Sequence, residues 1–313
     1  MVKTRIGYCE NAITKFIKAP VIEKILYLLV IIIIINLIST YISPIKENFS
    51  QKDNFVIKKN KNIYDDFYVN IYDDLYYDKI KNEYEIGTIL NCDTPTEESV
   101  ILDVGSGTGH HVNILASNDV NVIGIDDSSA MIAKARENYP TLEFRRENVL
   151  NRNIFEKSSF THITCFSFTI YHFENKREFF ENCYYWLKPG GFLIVSLVDK
   201  KTFDPILRLG NPYEVLGKKN VEKYGNETRI KLLRYDYKSN FEIYPNDDTA
   251  VFNERIKNVK TGERRKQELL LYMPTQKKIL NEAKSTGFMM ERQYDMSSIN
   301  VHSQYIYTFK KPN

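Results

Sequence analysis

The chain has 313 residues and a formal charge of +3, with 43% hydrophobic and 27% charged residues. This composition excludes a disordered chain, a collagen-like repeat and a multi-span membrane protein, and the length suits one large α/β domain with additions or two modest domains. Four dispersed cysteines (Cys9, Cys92, Cys165 and Cys183) form no CxxC pair, which leaves no zinc site and no disulfide framework to read from them.

The small net charge is a sum of unlike parts. Residues 1–60 carry a net +5, residues 61–200 a net −9 and residues 201–313 a net +7. From Ile25 to Ser43 no residue is charged, and Ile31 to Ile35 are five consecutive isoleucines. Nineteen helical residues rise roughly 28 Å, close to the hydrocarbon thickness of a bilayer, so 25–43 reads as a single transmembrane anchor behind a 24-residue flank. A cleaved leader fits less well, because the apolar core is long and no small-x-small cleavage site follows. Lysines flank both ends, so the positive-inside rule gives no orientation. Residues 44–62 read as a polar linker.

A domain is expected from 63 to 313. It begins with an eight-residue echo, IYDDFYVN followed by IYDDLYYD, over residues 63–78. Ile63, Phe67, Ile71 and Leu75 recur every four residues, as do Tyr64, Tyr68, Tyr72 and Tyr76, which predicts a helix with a wide apolar and aromatic face. That face either packs on the domain or lines the mouth of a site. Strands are then expected at Val100–Asp103, Asn121–Asp126, Leu142–Arg146, Thr161–Phe166 and Phe192–Val198, alternating with helices at His111–Ser117, Ser129–Asn138 and Lys176–Leu187. Such alternation implies a mostly parallel sheet covered on both faces. Residues 228–273 break the rhythm with four antiparallel strands, at Arg229–Tyr237, Asn240–Tyr244, Thr249–Asn258 and Arg265–Met273. A helix at Thr275–Thr286, stopped by Gly287, and two final strands at Phe288–Tyr294 and Gln304–Lys310 complete the chain.

The chemistry-bearing motif is Asp103-Val104-Gly105-Ser106-Gly107-Thr108-Gly109, a strand feeding a glycine turn that opens a helix. Glycines allow positive φ and close approach of a ligand, and the helix start offers unpaired N–H groups. A dinucleotide fold prefers G-x-G-x-x-G; here the third glycine comes one position early. Asp126 closes the next strand 21 residues after Gly105, where a carboxylate can accept two hydrogen bonds from a ribose diol. Trp186-Leu187-Lys188-Pro189-Gly190-Gly191-Phe192 supplies a helix stop and a tight turn before the fifth strand.

Together these motifs, in this order over residues 63–200 and again over 275–310, resemble class I S-adenosylmethionine (SAM)-dependent methyltransferases, most of all the type 11 small-molecule group. The resemblance implies a Rossmann-like seven-stranded sheet, with the antiparallel strands as a β cap over the substrate. It implies SAM as cofactor, contacted by Asp103, Gly105, Ser106, Gly107 and Gly109, with Asp126 (Asp127 as the local alternative) on the ribose. Asn148 and Val149 stand where the family has Asp-Ala beside the adenine; Asn148 keeps an acceptor oxygen but not the charge. Thr161 likewise replaces a common, structural aspartate.

In that family the residues after the fourth strand border the methionine end and the acceptor. Here they are Phe166, Ser167 and Phe168, then Tyr171 and His172. His172, with Tyr171, is the candidate base for an acceptor that must lose a proton; its alternative is a packed histidine. His110 and His111 are expected to contribute backbone contacts. Asn211-Pro212-Tyr213 reads as a loop coincidence. In the cap, Tyr235, Tyr237, Phe241 and Tyr244 are candidates to line a pocket, and Lys231, Arg234, Arg255, Arg264, Arg265 and Lys266 to attract an anionic acceptor.

The implied function is membrane-anchored methylation of a small molecule, with no nucleic-acid partner and the domain on the cytosolic side. A lipid or quinone acceptor is the alternative, to be decided by the polarity of the cap. A non-catalytic domain of the same fold is the rival from another class, and Asn148 and Thr161 are the features that favour it.

Overall fold

The computed structural model describes residues 20–24, 27, 30, 32 and 33, and then 55–91, 94–203, 221–224, 227–244 and 246–313. It divides into two units, Met1–Asn54 and Phe55–Asn313. Most of the expected span at 25–43 lies outside the described residues, as does the loop at 211–213. Of the first unit, Val21–Lys24, Tyr27, Val30, Ile32 and Ile33 are helical. Among the described residues no helix is long and apolar enough to cross a membrane.

The second unit opens with strand β1 (Phe55–Lys59) and a 3₁₀ turn over Asn60–Ile63. The polar stretch expected to be linker as far as 62 therefore belongs to the domain from residue 55. Its residues pair in parallel with a later strand, and no local sequence pattern announces such a pairing. Helix α1 (Asp66–Tyr76) follows, capped by Asp65, whose side chain accepts from the Tyr68 N–H at 3.2 Å. Its four-residue spacing buries Tyr68, Ile71 and Leu75 on one face, as expected. A second helix, α2 (Lys79–Leu90), has Asp78 as N-cap; it sits in a stretch that had no assignment.

The α/β series then runs β2 (Val100–Val104), α3 (His110–Ala116), β3 (Asn121–Asp126), α4 (Ser129–Asn138), β4 (Glu143–Arg146), β5 (Phe160–Cys165), α5 (Lys176–Trp186) and β6 (Leu187–Val198). Each element lies within a few residues of its expected position. Ser128 caps α4, accepting from Met131 N at 3.2 Å. β6 begins five residues early: its partner register jumps from Phe160↔Leu187 to His162↔Phe192, so Lys188–Gly191 form a bulge rather than a free turn. Gly191 is required there, because a Cβ would meet the Thr161 carbonyl oxygen at 2.8 Å.

Five strands of the inserted region follow: β7 (Val221–Tyr224), β8 (Glu227–Lys231), β9 (Tyr235–Tyr244), β10 (Thr249–Asn258) and β11 (Arg264–Tyr272). The expected strand Arg229–Tyr237 is thus two strands, with the turn at 232–234, and β9 runs unbroken through residues 238–239, which separate two of the expected strands. The Leu232 N–H donates to the Tyr235 carbonyl at 2.8 Å and closes that turn. Helix α6 (Gln276–Ser285), β12 (Met289–Asp295) and β13 (Gln304–Lys310) end the domain.

Two sheets result. One has seven strands in the order β12-β13-β6-β5-β2-β3-β4, with β2 through β6 parallel and β13 antiparallel to both β6 and β12. Its central strands are buried on both faces, which their continuous apolar runs dictate (Ile101-Leu102, Ile163, Leu193-Ile194-Val195). Thr161, in place of an aspartate, hydrogen-bonds both the N–H and the carbonyl of Val100 and ties β5 to β2. The second sheet has the order β1-β11-β10-β9-β8-β7, antiparallel except for the β1–β11 pair. Its inward face packs on α1 through Tyr237, Phe241, Phe252, Leu269 and Leu271.

Candidate active site

In an open α/β sheet a ligand crevice forms at the carboxyl ends of the strands, where the chain order reverses. Here that point lies between β2 and β5. A cavity of about 1270 Å³ opens there, bounded by the glycine loop, the ends of β3 and β4, the segment after β5, helix α1 and the inward face of the second sheet.

The glycine loop turns back on itself. The N–H groups of Gly105 and Ser106 both donate to the Ile125 carbonyl, at 2.8 and 2.9 Å, and the Gly109 N–H donates to the Ser106 carbonyl at 2.9 Å. Gly107 has φ +53 and its N–H donates to Oδ2 of Asp126 at 3.1 Å. A Cβ there would meet nothing within 4 Å, so the loop is open on that side. Gly109, at φ +93, is the N-cap of α3 and faces Phe144 rather than the cavity.

Asp126 is half-buried at the cavity wall. Its Oδ1 accepts from Ser128 N at 2.8 Å. Burial pushes its carboxyl up to about 6, against the opposing pull of the two backbone N–H donors. Asp127 is more exposed and forms an ion pair with Lys61. Asn148 is exposed at the rim, where its side-chain oxygen accepts from Leu150 N at 3.0 Å, and Val149 is buried beside it. Ser167 lines the cavity at φ +54 and accepts from Lys81 Nζ at 3.3 Å.

Besides Gly109, three expected site residues stand elsewhere. Asp103 is buried behind the loop, where Oδ1 accepts from Thr164 Oγ1 at 2.7 Å and Oδ2 has no partner; burial raises its carboxyl above the usual range. Phe166 is buried and stacks on His111, with ring centroids 5.0 Å apart. Tyr171 is fully buried, and its hydroxyl accepts from the Val198 N–H at 2.8 Å. That bond ties the 3₁₀ turn after β5 (Thr169–His172) to the end of β6 and removes Tyr171 from the list of catalytic candidates.

His172 does reach the cavity. Burial, reinforced by the nearby Lys61 and Lys176 charges, lowers its imidazolium to about 4, so the ring is neutral at pH 7. Its Nε2 lies 3.3 Å from the Tyr64 hydroxyl, and burial keeps Tyr64 protonated. Tyr72 and Tyr76 continue the aromatic wall along α1, with centroids 4.8 Å apart. The tyrosine row therefore both packs and lines the site.

A charged cluster at the other flank was missed. Glu85 of α2 is fully buried; it accepts from Lys81 Nζ at 2.8 Å and lies 2.8 Å from His111 Nε2. The Lys81 and His111 charges outweigh burial and hold its carboxyl at about 2. The four-residue spacing of Lys81 and Glu85 was visible, but His111 was expected to contribute only backbone. His110 also acts through its side chain, with Nδ1 2.8 Å from the Tyr139 hydroxyl and Nε2 3.1 Å from Asp73.

The basic residues of the inserted sheet do not line the cavity. Arg265 is buried and committed to Asp65, to the Ile63 carbonyl and to Gln267. Of the aromatic candidates in that sheet, Phe241 lines the cavity; Tyr237 turns its hydroxyl to Glu254 at 2.6 Å, and Tyr235 packs on Phe67. The acceptor side of the cavity is instead aromatic and aliphatic, with Phe168, Phe203, Phe241, Phe252, Leu269 and Leu271. The lysines at its rim face carboxylates: Lys58 with Asp65, Lys59 with Glu268, Lys61 with Asp127 and Lys81 with Glu85.

Residues 101–191 match the family described as a methyltransferase domain. A probable S-adenosylmethionine-dependent methyltransferase of Mycolicibacterium smegmatis is 30% identical over 105 residues, covering 34% of this chain and 40% of that protein. A demethylmenaquinone methyltransferase of Chlorobaculum parvum is 30% identical over 146 residues, covering 46% and 58%. The chain thus spans about half the length of the curated relatives it matches. The crystal structure of a S-adenosylmethionine-dependent methyltransferase from Clostridium acetobutylicum superposes with a TM-score of 0.61 at 18% identity, covering 79% of this chain and 98% of that one. The fold is therefore that of the class I S-adenosylmethionine-dependent methyltransferases.

Proposed function

We propose that this class I methyltransferase transfers the methyl group of SAM to an acceptor with an apolar, aromatic body. The observation that carries the reading is the junction of two chemistries in one cavity. A glycine loop and a strand-end carboxylate stand on one side, and a wall of phenylalanines and leucines on the other.

The residues fit SAM. Asp126 has lone pairs facing the cavity for a ribose diol, the open side of Gly107 admits the ligand's polar chain, and Val149 offers an apolar face for a purine. When bound, SAM supplies an electrophilic methyl on a sulfonium. The chain's own part is alignment, since an in-line displacement needs the acceptor held on the far side of the methyl and water kept out. Tyr64, Tyr72 and Phe168 border that approach, and their ring faces favour a nearby positive charge. His172, neutral and backed by the Tyr64 hydroxyl, is placed to take a proton from the acceptor's oxygen or nitrogen.

The apolar wall supports a quinone- or lipid-like acceptor over an anionic metabolite, because the basic residues of the inserted sheet stand outside the cavity and the rim lysines are paired, while Arg146 lines the cavity at the end of β4 and donates to the Asp127 carbonyl. The name of the Chlorobaculum relative points the same way. Membrane attachment through residues 25–43 is part of this reading: Ile32 and Ile33 are exposed by 52% and 56%, and such side chains on a helix favour an apolar surrounding. Incubating the protein with methyl-labelled SAM and, in parallel, 1,4-naphthohydroquinone and a sugar phosphate tests the acceptor class. Label extracted into organic solvent supports it; label on the sugar phosphate overturns it.

A further inference from the structure

The end of the inserted sheet where the chain enters the domain has a composition that neither the cofactor site nor the core explains. Strand register brings the start of β1, the start of β11, the end of β10 and the start of β9 to one end: Phe55 pairs with Arg264, Arg264 with Lys257, and Asn258 with Tyr235. The turn after β10 is fastened there by the Val259 N–H, which donates to the Arg234 carbonyl at 3.0 Å. At this end four large apolar side chains outside the cavity are exposed, and Ile57, at the cavity rim, is a fifth. Leu233 shows 75% of its surface, Ile57 63%, Val259 56%, Val56 51% and Phe55 42%. An exposed leucine alone is ordinary, but five apolar side chains gathered at one sheet end are not.

Around them stand Lys231, Arg234, Lys257 and Lys260, with Arg264 stacked on the Phe55 ring at 5.8 Å. The acids at this end are Asp236, opposite Lys257 and Lys231 in the register, and Glu263, which binds Thr261. Positive charge is in excess. The opposite end of the same sheet carries Asp247 and Asp248 in its turn, and Asp248 is held by Lys200 and Lys278. The sheet thus runs from a basic, apolar tip to a turn whose acids are balanced by lysines.

We propose that this tip, formed by the 232–234 turn, the 259–263 turn and β1, docks on an anionic phospholipid surface. The apolar side chains enter the headgroup region and the surrounding lysines and arginines contact lipid phosphates. Apolar burial and charge attraction together are what surface binding of this kind requires. The position of the tip in the chain agrees. Only residues 44–54 separate the uncharged stretch from Phe55, a contour of at most about 40 Å; this agreement rests on the proposed membrane attachment through residues 25–43, under which the tip holds the domain's first residues after the tether. The inference does not depend on the identity of the methyl acceptor or on SAM binding.

The test uses the full chain with Cys9 and Cys92 replaced by serine and one new cysteine carrying an environment-sensitive fluorophore. Val259→Cys places the probe at the tip and Asn246→Cys at the opposite end. With vesicles of phosphatidylglycerol and phosphatidylcholine bearing doxyl-labelled acyl chains, emission from position 259 is expected to shift blue and be quenched, and emission from position 246 to stay unchanged. Removing three charges (Lys231→Gln, Arg234→Gln, Lys260→Gln) is expected to weaken the quenching contact about a hundredfold at low salt. Circular dichroism confirms that the variants fold. Equal spectra at the two positions, quenching indifferent to lipid charge, or lipid-independent dimerisation through the tip would each overturn the proposal.

Discussion

The Tyr68 hydroxyl donates to Oε1 of Glu254 at 2.5 Å, across the seam between α1 and the inserted sheet. Tyr76 and Tyr237 donate to the same oxygen at 3.0 and 2.6 Å, and Gln267 Nε2 donates to Oε2 at 2.8 Å. Every oxygen of a fully buried carboxylate is thereby satisfied, and three of its four donors are tyrosines. Because Tyr76 also lines the cavity, the network fixes the aromatic wall that faces the acceptor.

Glu254→Ala should strand three buried hydroxyls and destabilise the domain by about 3 kcal/mol or more, whereas Glu254→Gln retains an acceptor oxygen and should cost about 1 kcal/mol. Burial raises the Glu254 carboxyl above its usual range. A carboxyl raised in the folded state contributes stability that is fully present below its unfolded value near 4.5 and is lost as pH rises through the folded value. The difference in unfolding free energy between the wild type and Glu254→Gln should therefore move against the wild type as pH rises from 4.5. Urea titrations at several pH values check both the order of the variants and this direction.

Asp126 sits at about 6 in the ligand-free protein, and a ribose diol needs the ionised carboxylate. SAM should therefore bind about tenfold more weakly for each pH unit below 6, with a constant Kd above pH 7. Asp126→Asn should bind weakly and without this slope. Calorimetric titrations from pH 5 to pH 8 measure it; a flat wild-type profile would remove Asp126 from the ribose.

Tyr171 and His172 are neighbours with different tasks. Tyr171→Phe should leave the Val198 N–H without its partner, lower stability by about 1–2 kcal/mol and leave the SAM Kd unchanged. His172→Gln should keep both stability and SAM affinity and lower kcat about a hundredfold with an acceptor that must lose a proton. Thermal unfolding and steady-state rates separate the two.

Glu85 is held at about 2, far below its unfolded value near 4.5. A depressed carboxyl contributes stability that is present above 4.5 and lost as pH falls toward 2, at about 1.4 kcal/mol for each tenfold change in proton affinity. Glu85→Gln should flatten the acid limb of the stability profile between pH 4.5 and pH 2. An unchanged acid limb would mean that Lys81 and His111 do not hold this charge.

Much of the domain was legible because its determinants are local. The strand-end acids, the glycine turn and the Ser128 cap each lie within a few residues of the structure they dictate, and the central strands are read from unbroken apolar runs. What was not legible depends on partners far apart in sequence. β1 is a strand because it finds β11 more than 200 residues away. Glu254 looks like one charge among many on an alternating strand until Tyr68, Tyr76 and Gln267 are brought to it. Arg265 reads as an anion receptor until Asp65 and the Ile63 carbonyl fill its donors. Tyr171 shows the same limit at the site itself, since adjacency to His172 says nothing about which way its ring turns.

Calorimetric titration of the full chain with SAM at pH 7.5, with Asp126→Ala alongside, tests the central claim most directly. A saturable, single-site isotherm for the wild type, weakened at least tenfold in the variant, is the predicted result. No heat of binding for the wild type at millimolar SAM would contradict the account.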